Sequence, residues 1–107
     1  MRNIFKNRRD YIVSRLNGMS GVNCDIPRGA FYVFPSFSGL IGMKTPAGKT
    51  ISNSIDFSSY LLENKGVAVV PGSAFGAEGY FRISYATSDK TLEEACNRIK
   101  DACSLLG

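Results

Sequence analysis

The sequence predicts an α+β fold, a small mixed or antiparallel sheet with helices packed mainly on one of its faces. Two runs rich in β-branched and aromatic residues, Val67–Val70 and Tyr80–Tyr85, predict adjacent strands joined by a glycine-rich loop. The C-terminal segment predicts a long amphipathic helix, because its apolar residues recur at spacings of three, four and seven. These residues are Leu92, Ala95, Cys96, Ile99, Ala102, Cys103 and Leu106. A chain of 107 residues is long enough for one domain of this kind.

The first element is a predicted helix over about Asn3–Leu16, ended at Gly18. Phe5, Ile12 and Leu16 fall near one stripe of this helix. The net charge of the chain, +4, is carried by its first 15 residues. Such a basic helix can face solvent, contact an acidic part of a larger protein, or bind nucleic acid or an anionic membrane surface. The first two are the commoner uses of surface charge.

An aromatic and β-branched run, Ala30–Phe34, predicts a strand that is opened by Gly29 and stopped by Pro35. Alternation places Phe31 and Val33 on one face of this strand, opposite Tyr32 and its even-numbered neighbours.

The segment Ser36–Thr50 is rich in glycine, serine and lysine and predicts a long surface loop. It contains Ala47-Gly48-Lys49-Thr50, which resembles the end of a phosphate-binding loop. That motif requires glycine where Met43 stands, and no buried strand runs directly into the loop. The sequence therefore argues against nucleotide binding here.

The second helix is predicted over about Ile55–Asn64, capped by Ser52 or Ser54 and closed by Gly66. Its predicted inner stripe is Ile55, Ser58, Leu61 and Leu62, with Phe57 adjacent.

The last helix has Ser88 or Asp89 as its expected cap, with Thr91 and Glu94 as an alternative capping box.

A charged side chain stands in the middle of the apolar strand Tyr80–Tyr85. Alternation puts Phe81, Ile83 and Tyr85 on the core face, so Arg82 points to the opposite side. An arginine in a partly buried sheet is costly unless water or an anion reaches it. Arg82 therefore lies on a solvent-exposed face, pairs with Glu78 or an acid from a distant helix, or binds an external carboxylate or phosphate.

Composition excludes several classes of protein. The hydrophobic fraction, 44%, is ordinary for a globular domain, and no apolar run approaches the roughly 20 residues of a membrane span. With no histidine in the chain, histidine-based acid–base and triad chemistry is excluded, and a zinc site is disfavoured. Three cysteines without a C-x-x-C pair indicate a reducing compartment, and the charged start does not read as a secretory signal. We expect a cytoplasmic protein.

Four segments carry a resemblance to a known family: NRRDYIVSRLN, PRGAFYVFP, LLENKGVAVVPGSAFG and GYFRISYATS. In this order and spacing, they resemble the C-terminal small domain of aspartate aminotransferase-like enzymes. These are class I aminotransferases of fold type I, which use pyridoxal phosphate. The resemblance covers essentially the whole chain.

The resemblance implies that Arg82 binds the α-carboxylate of the substrate and that Phe31 lies near the substrate. It implies amino-group exchange between an amino acid and a 2-oxo acid, with pyridoxal phosphate as electron sink. The small domain would rotate and close on substrate, and the parent enzyme would be a homodimer.

The catalytic lysine of the family follows a serine, and no Ser-Lys pair occurs here. We therefore expect residues 1–107 to be the small domain alone, without the large domain of the same chain that holds the cofactor. Alone, the 107 residues are expected neither to bind pyridoxal phosphate stably nor to transaminate.

Two other functions stay open at this point. The segment Gly79–Tyr85 loosely resembles the base-stacking strand of RNA-recognition motifs. The predicted order of helices and strands differs from the β-α-β-β-α-β order of those motifs. A regulatory domain that binds free amino acids is the other possibility. The aminotransferase resemblance predicts amino acid and 2-oxo acid partners, no nucleic acid and no membrane.

Overall fold

The structure, a computed structural model, describes residues 4–27 and 31–107. Within these ranges the helices are α1 (Ile4–Asn17), α2 (Ser54–Lys65) and α3 (Asp89–Ser104). The strands are β1 (Tyr32–Val33), β2 (Val70–Pro71) and β3 (Phe81–Ser84), and short 3₁₀ turns cover Ser38–Leu40 and Gly72–Phe75. This arrangement confirms the predicted α+β fold. Asn3 and the predicted strand residues Gly29 and Ala30 lie outside the described residues.

The sheet has the order β1-β3-β2, and β3 is antiparallel to both neighbours. Tyr32 pairs with Ser84, and Val70 pairs with Arg82. The strand expected at Val67–Val70 begins only at Val70, because the Val67 N–H donates to the Leu61 carbonyl at 3.2 Å. The chain leaving α2 thus completes the end of the helix before it joins the sheet.

The predicted faces of β3 are confirmed. Phe81, Ile83 and Tyr85 are buried, whereas Arg82 is half-buried and Ser84 is exposed on the other side. The helices pack against the buried face and enclose one apolar core. Its centre includes a stack of Phe37 on Phe57, with ring centroids 4.5 Å apart.

The basic helix α1 is connected to α3 by polar contacts. Arg8 forms a 2.7 Å ion pair with Asp89, and Arg15 donates to the Asn97 side chain at 2.7 Å. Two of its arginines therefore form polar contacts within the domain. Phe5, which was expected near the buried stripe, is largely exposed.

The predicted inner face of α2 is confirmed at Leu61 and the adjacent Phe57 and is wrong at Ile55 and Leu62. Ile55 and Leu62 are 57% and 56% exposed, and the buried residues are Ser54, Phe57, Tyr60 and Leu61. The two aromatic residues decide the orientation, because Phe57 stacks on Phe37 and the Tyr60 hydroxyl donates to the Ala102 carbonyl at 2.7 Å.

The caps follow the predictions in two of three cases. The α2 cap is Asn53 rather than Ser52 or Ser54, since the Asn53 side chain accepts from the Asp56 N–H at 2.9 Å. The predicted ends at Gly66 and Ser88 are confirmed. Gly66 adopts the left-handed conformation after α2, and Ser88 accepts from the Thr91 N–H at 3.1 Å.

The segment Ser36–Thr50 is not simply a surface loop. Phe37 and Leu40 are fully buried in the core, where Phe37 stacks on Phe57 of α2. Farther along, Lys44 pairs with Thr50 in a β-bridge, and Gly48 has φ +86° at the tip. The Ala47–Thr50 tetrapeptide is thus part of a tight hairpin turn.

No helix in the described part of the chain is long and apolar enough to cross a membrane.

The three cysteines are free and buried. Burial raises the pKa of Cys24 to about 11, with a smaller contribution from the Asp25 charge. Burial also raises the pKa of Cys103 to about 11 and raises that of Cys96. These thiols are therefore core groups that stay protonated at neutral pH.

We expect the thiols to react slowly with iodoacetamide in the folded chain. For Cys24 and Cys103, a pKa of about 11 leaves more than about 100-fold less thiolate at pH 8 than an unfolded cysteine has. Because the folded pKa of these thiols is raised, their protonation favours the folded chain over the unfolded one. This contribution to the free energy of unfolding is intact below about pH 8.5. It is lost as the pH rises toward about 11, the folded pKa of Cys24 and Cys103. Mass spectrometry of labelling with and without urea tests this, and equal rates would contradict it.

Candidate functional site

Arg82 projects from the central strand of the sheet, on the face opposite the helices. Its strand is paired on both sides, with Val70 directly opposite it in β2. On the other side the pairing continues past β1, because the Phe81 N–H donates to the Pro35 carbonyl at 3.1 Å. This register puts Phe34 beside Arg82 on the same face. The guanidinium is thus carried by a fixed backbone.

Aromatic rings surround the Arg82 guanidinium. Its central carbon lies 4.6 Å from the Tyr32 ring centroid and 5.8 Å from that of Phe75. The Phe75 ring in turn packs edge-on against Phe34, with centroids 5.4 Å apart. We call Tyr32, Phe34 and Phe75 the aromatic cradle. A cation over such rings is stabilised by about 0.5–2 kcal/mol, while its in-plane N–H groups stay free to donate.

Arg82 has no ion-pair partner within residues 4–27 and 31–107. Its Nε atom is buried and forms no hydrogen bond there. A buried donor without a partner costs about 1–3 kcal/mol. Glu78 does not supply that partner, so the predicted Arg82–Glu78 alternative is wrong. The Glu78 carboxylate instead accepts hydrogen bonds from the backbone N–H and, at 3.1 Å, the hydroxyl of Ser54.

A closed loop between β2 and β3 delivers Phe75 to the cradle. The Gly72 N–H donates to the Tyr80 carbonyl, and the Ala77 N–H donates to the Gly72 carbonyl, both at 2.8 Å. A Cβ atom on Gly72 would collide with the carbonyl oxygens of Ala77 and Tyr80. The loop therefore closes tightly only because residue 72 is glycine.

Phe31 lies away from the cradle. Its carbonyl accepts from the Tyr85 N–H at 2.9 Å, and its ring is 6.3 Å from that of Tyr85 and 4.7 Å from that of Phe5. Phe31 thus belongs to the helix side of the sheet, although its side chain is 47% exposed. The structure does not bring Phe31 and Arg82 together, and the role of Phe31 beside a substrate stays a prediction.

Sequence reasoning did not assign the three cradle residues to the site. Alternation already placed Tyr32 and Phe34 together on one face of their strand, and Arg82 on the outer face of its own strand. The missing information was the register between these strands, together with the loop that returns Phe75 to the same spot.

The class of protein is defined by comparison of the whole chain with known families. The family model for aminotransferase class I and II matches residues 1–99. The chain belongs to this family. The resemblance seen in the sequence is thereby confirmed.

Two curated relatives match nearly the whole chain. The chain is 59% identical over 100 residues to a probable aspartate/prephenate aminotransferase of Rhizobium leguminosarum bv. phaseoli, covering 94% of this chain and 25% of that protein. It is 53% identical over 102 residues to the aspartate aminotransferase of Rhizobium meliloti (strain 1021), covering 95% of this chain and 25% of that protein. The chain therefore spans about a quarter of the length of the curated relatives it matches.

Solved structures give the same relationship. The crystal structure of the aspartate aminotransferase from Rhizobium meliloti matches with a TM-score of 0.95 and 52% identity, over 96% of this chain and 26% of that one. An alanine aminotransferase from Pyrococcus furiosus matches with a TM-score of 0.81 and 34% identity, over 94% of this chain and 24% of that one. The fold is thus that of a part of a class I aminotransferase.

Membership of this family implies pyridoxal phosphate as the general cofactor. The described residues that border Arg82 are Tyr32, Phe34, Val70 and Phe75. None of them carries an amine that could form a Schiff base or a cation for the cofactor phosphate. The residues around Arg82 therefore offer no Schiff-base attachment for this cofactor.

We expect Gly72→Ala to destabilise the chain by about 1–3 kcal/mol, because the new methyl group meets backbone oxygens that cannot move independently. Gly18→Ala is the matched control, since its Cβ would lie 3.4 Å from the nearest atom. Urea unfolding monitored by circular dichroism measures both. Equal midpoints for the two variants would contradict the collision.

Proposed function

We propose that this chain is the C-terminal small domain of a class I aminotransferase, and that Arg82 binds the α-carboxylate of the amino acid or 2-oxo acid. The observation that carries the proposal is a half-buried guanidinium without an acid partner in the described chain, on the outer face of a sheet. Family membership supports the same assignment.

The geometry around Arg82 suits a carboxylate for a physical reason. A guanidinium stacked on rings keeps its planar fork of N–H donors available, and a carboxylate fills that fork with two parallel hydrogen bonds. Because Arg82 is only half-buried, solvent reaches part of its side chain, and a carboxylate can approach there. The apolar rings lower the local dielectric constant and strengthen the ion pair.

Arg82 would then act as an orienting residue. Its place on a doubly paired strand fixes the position of the bound carboxylate, and hence the direction of the Cα–H bond next to it. The cofactor supplies the electron sink for amino-group exchange when bound in the whole enzyme. We place the pyridoxal phosphate site on the large domain of the same polypeptide, outside these 107 residues.

The whole enzyme would exchange amino groups between amino acids and 2-oxo acids. The relatives named aspartate or aspartate/prephenate aminotransferase make aspartate the first amino donor to test, and prephenate a second substrate. We further propose that the domain rotates toward bound substrate and excludes water, and that the enzyme is a cytoplasmic homodimer.

The RNA-binding alternative has less support. A base-stacking strand needs exposed aromatic residues, but in the segment Gly79–Tyr85 Phe81 and Tyr85 are buried in the core and only Tyr80 is exposed.

The decisive experiment places this chain in an enzyme. The matching C-terminal quarter of the Rhizobium meliloti aspartate aminotransferase is replaced by this chain, and aspartate transamination is measured. We expect Arg82→Lys to lower kcat/KM by about 100-fold, because lysine cannot form the planar pair.

The matched control is Arg9→Lys, a half-buried arginine that pairs with Asp10 and should leave the rate unchanged. An Arg82→Lys enzyme with the rate of the parent hybrid would refute the carboxylate assignment.

A second prediction concerns the chain by itself. The isolated 107 residues should neither retain pyridoxal phosphate through gel filtration nor transaminate aspartate. Absorbance near the cofactor band in the protein fraction, compared with the hybrid enzyme, gives the answer. A stably bound cofactor would overturn the placement of its site on the large domain.

A further inference from the structure

We propose that Glu78 and Ser54 are positioning residues for the carboxylate site. Together with Ser73 they form a hydrogen-bonded clasp that holds the Gly72–Gly79 loop and so keeps Phe75 against Arg82. The inference rests on the proposed function, since it concerns the same site.

Ser54 is the centre of the clasp. It is fully buried, and it is the one polar residue in the buried core of the described chain. Its hydroxyl donates to the Glu78 carboxylate at 3.1 Å and accepts from the Ser73 N–H at 3.0 Å. One hydroxyl therefore joins residues near both ends of the loop to the start of α2.

The clasp also uses the Glu78 charge. The first N–H groups of a helix lack partners within the helix and carry partial positive charge. The Glu78 carboxylate accepts a hydrogen bond from the first of these N–H groups in α2, that of Ser54. The Asn53 side chain accepts one from the Asp56 N–H. The carboxylate is thus engaged at the helix, although it lies only four residues before Arg82 in the chain.

Phe75 connects the clasp to the site. It lies in the same loop, two residues after Ser73, and its ring contacts both Phe34 and the Arg82 guanidinium. If the clasp opens, one wall of the aromatic cradle moves, and a carboxylate on a loosened loop can compete for the guanidinium. Both effects weaken the binding of an external carboxylate.

The test uses the hybrid enzyme and aspartate. Glu78→Ala should raise KM by about tenfold and change kcat much less, because misplacing a binding group costs on this order or more. Glu78→Gln should recover most of the loss, since the amide oxygen can accept from the Ser54 N–H and its NH₂ group can donate to the hydroxyl. Ser54→Ala should behave as Glu78→Ala does.

Ser88→Ala is the matched control, because it removes the cap of α3 and should cost about 0.5–2 kcal/mol of stability without altering KM. A Glu78→Ala enzyme whose KM equals that of Ser88→Ala would overturn the proposal, since the clasp would then be merely structural.

Hydrogen exchange separates this outcome from failure of the proposed function. In the ligand-free hybrid, Glu78→Ala should speed exchange at the Ser73 and Ala77 amides, both hydrogen-bonded in the native loop, and leave α3 unchanged. An unchanged kcat/KM in Arg82→Lys would reject the carboxylate site, and the exchange data would still decide on the clasp. Unchanged exchange at both amides would reject the clasp.

Discussion

A guanidinium held over aromatic rings, away from any acid of the described chain, sets the requirements that the other elements meet. The charge needs a rigid support, and β3 supplies it through pairing on both edges. The rings are supplied by β1, by the residue after it and by the loop before β3. That loop in turn depends on Gly72 and on the start of α2. The packing of the outer face and the carboxylate binding proposed for it therefore depend on the same contacts.

The physical compromise is visible in the two faces of the sheet. The helix side buries Phe81 and Ile83, which gain free energy by leaving water. The outer side keeps a cation with a buried Nε atom that has no partner, a cost that a purely structural face would avoid. Sites that bind charged ligands keep such costs because the ligand offsets them. For this reason we propose that Arg82 is a binding residue.

Much of the fold was predictable because local patterns determine it. The alternation of Phe81, Ile83 and Tyr85 and the repeat in α3 each specify one buried face, and the structure confirms both. The phase of α2 was not predictable, because Ile55 and Leu62 look like core residues and only the tertiary contacts of Tyr60 reverse that reading. Local composition also misled at Phe37, a core residue in a segment rich in glycine and serine.

The site was predictable only in part. The outward direction of Arg82 follows from the period of a strand, whereas its contact with Tyr32 depends on a register between segments about 50 residues apart in the chain. Glu78 looked like the natural counter-ion, and the N-terminus of α2 takes it instead. The chain has no histidine, and burial raises the pKa of all three thiols, so neither of these two residue types provides a switch near neutral pH. Under the proposed function, a bell-shaped rate profile that depends on a histidine or on a thiolate near neutrality would have to originate outside these 107 residues.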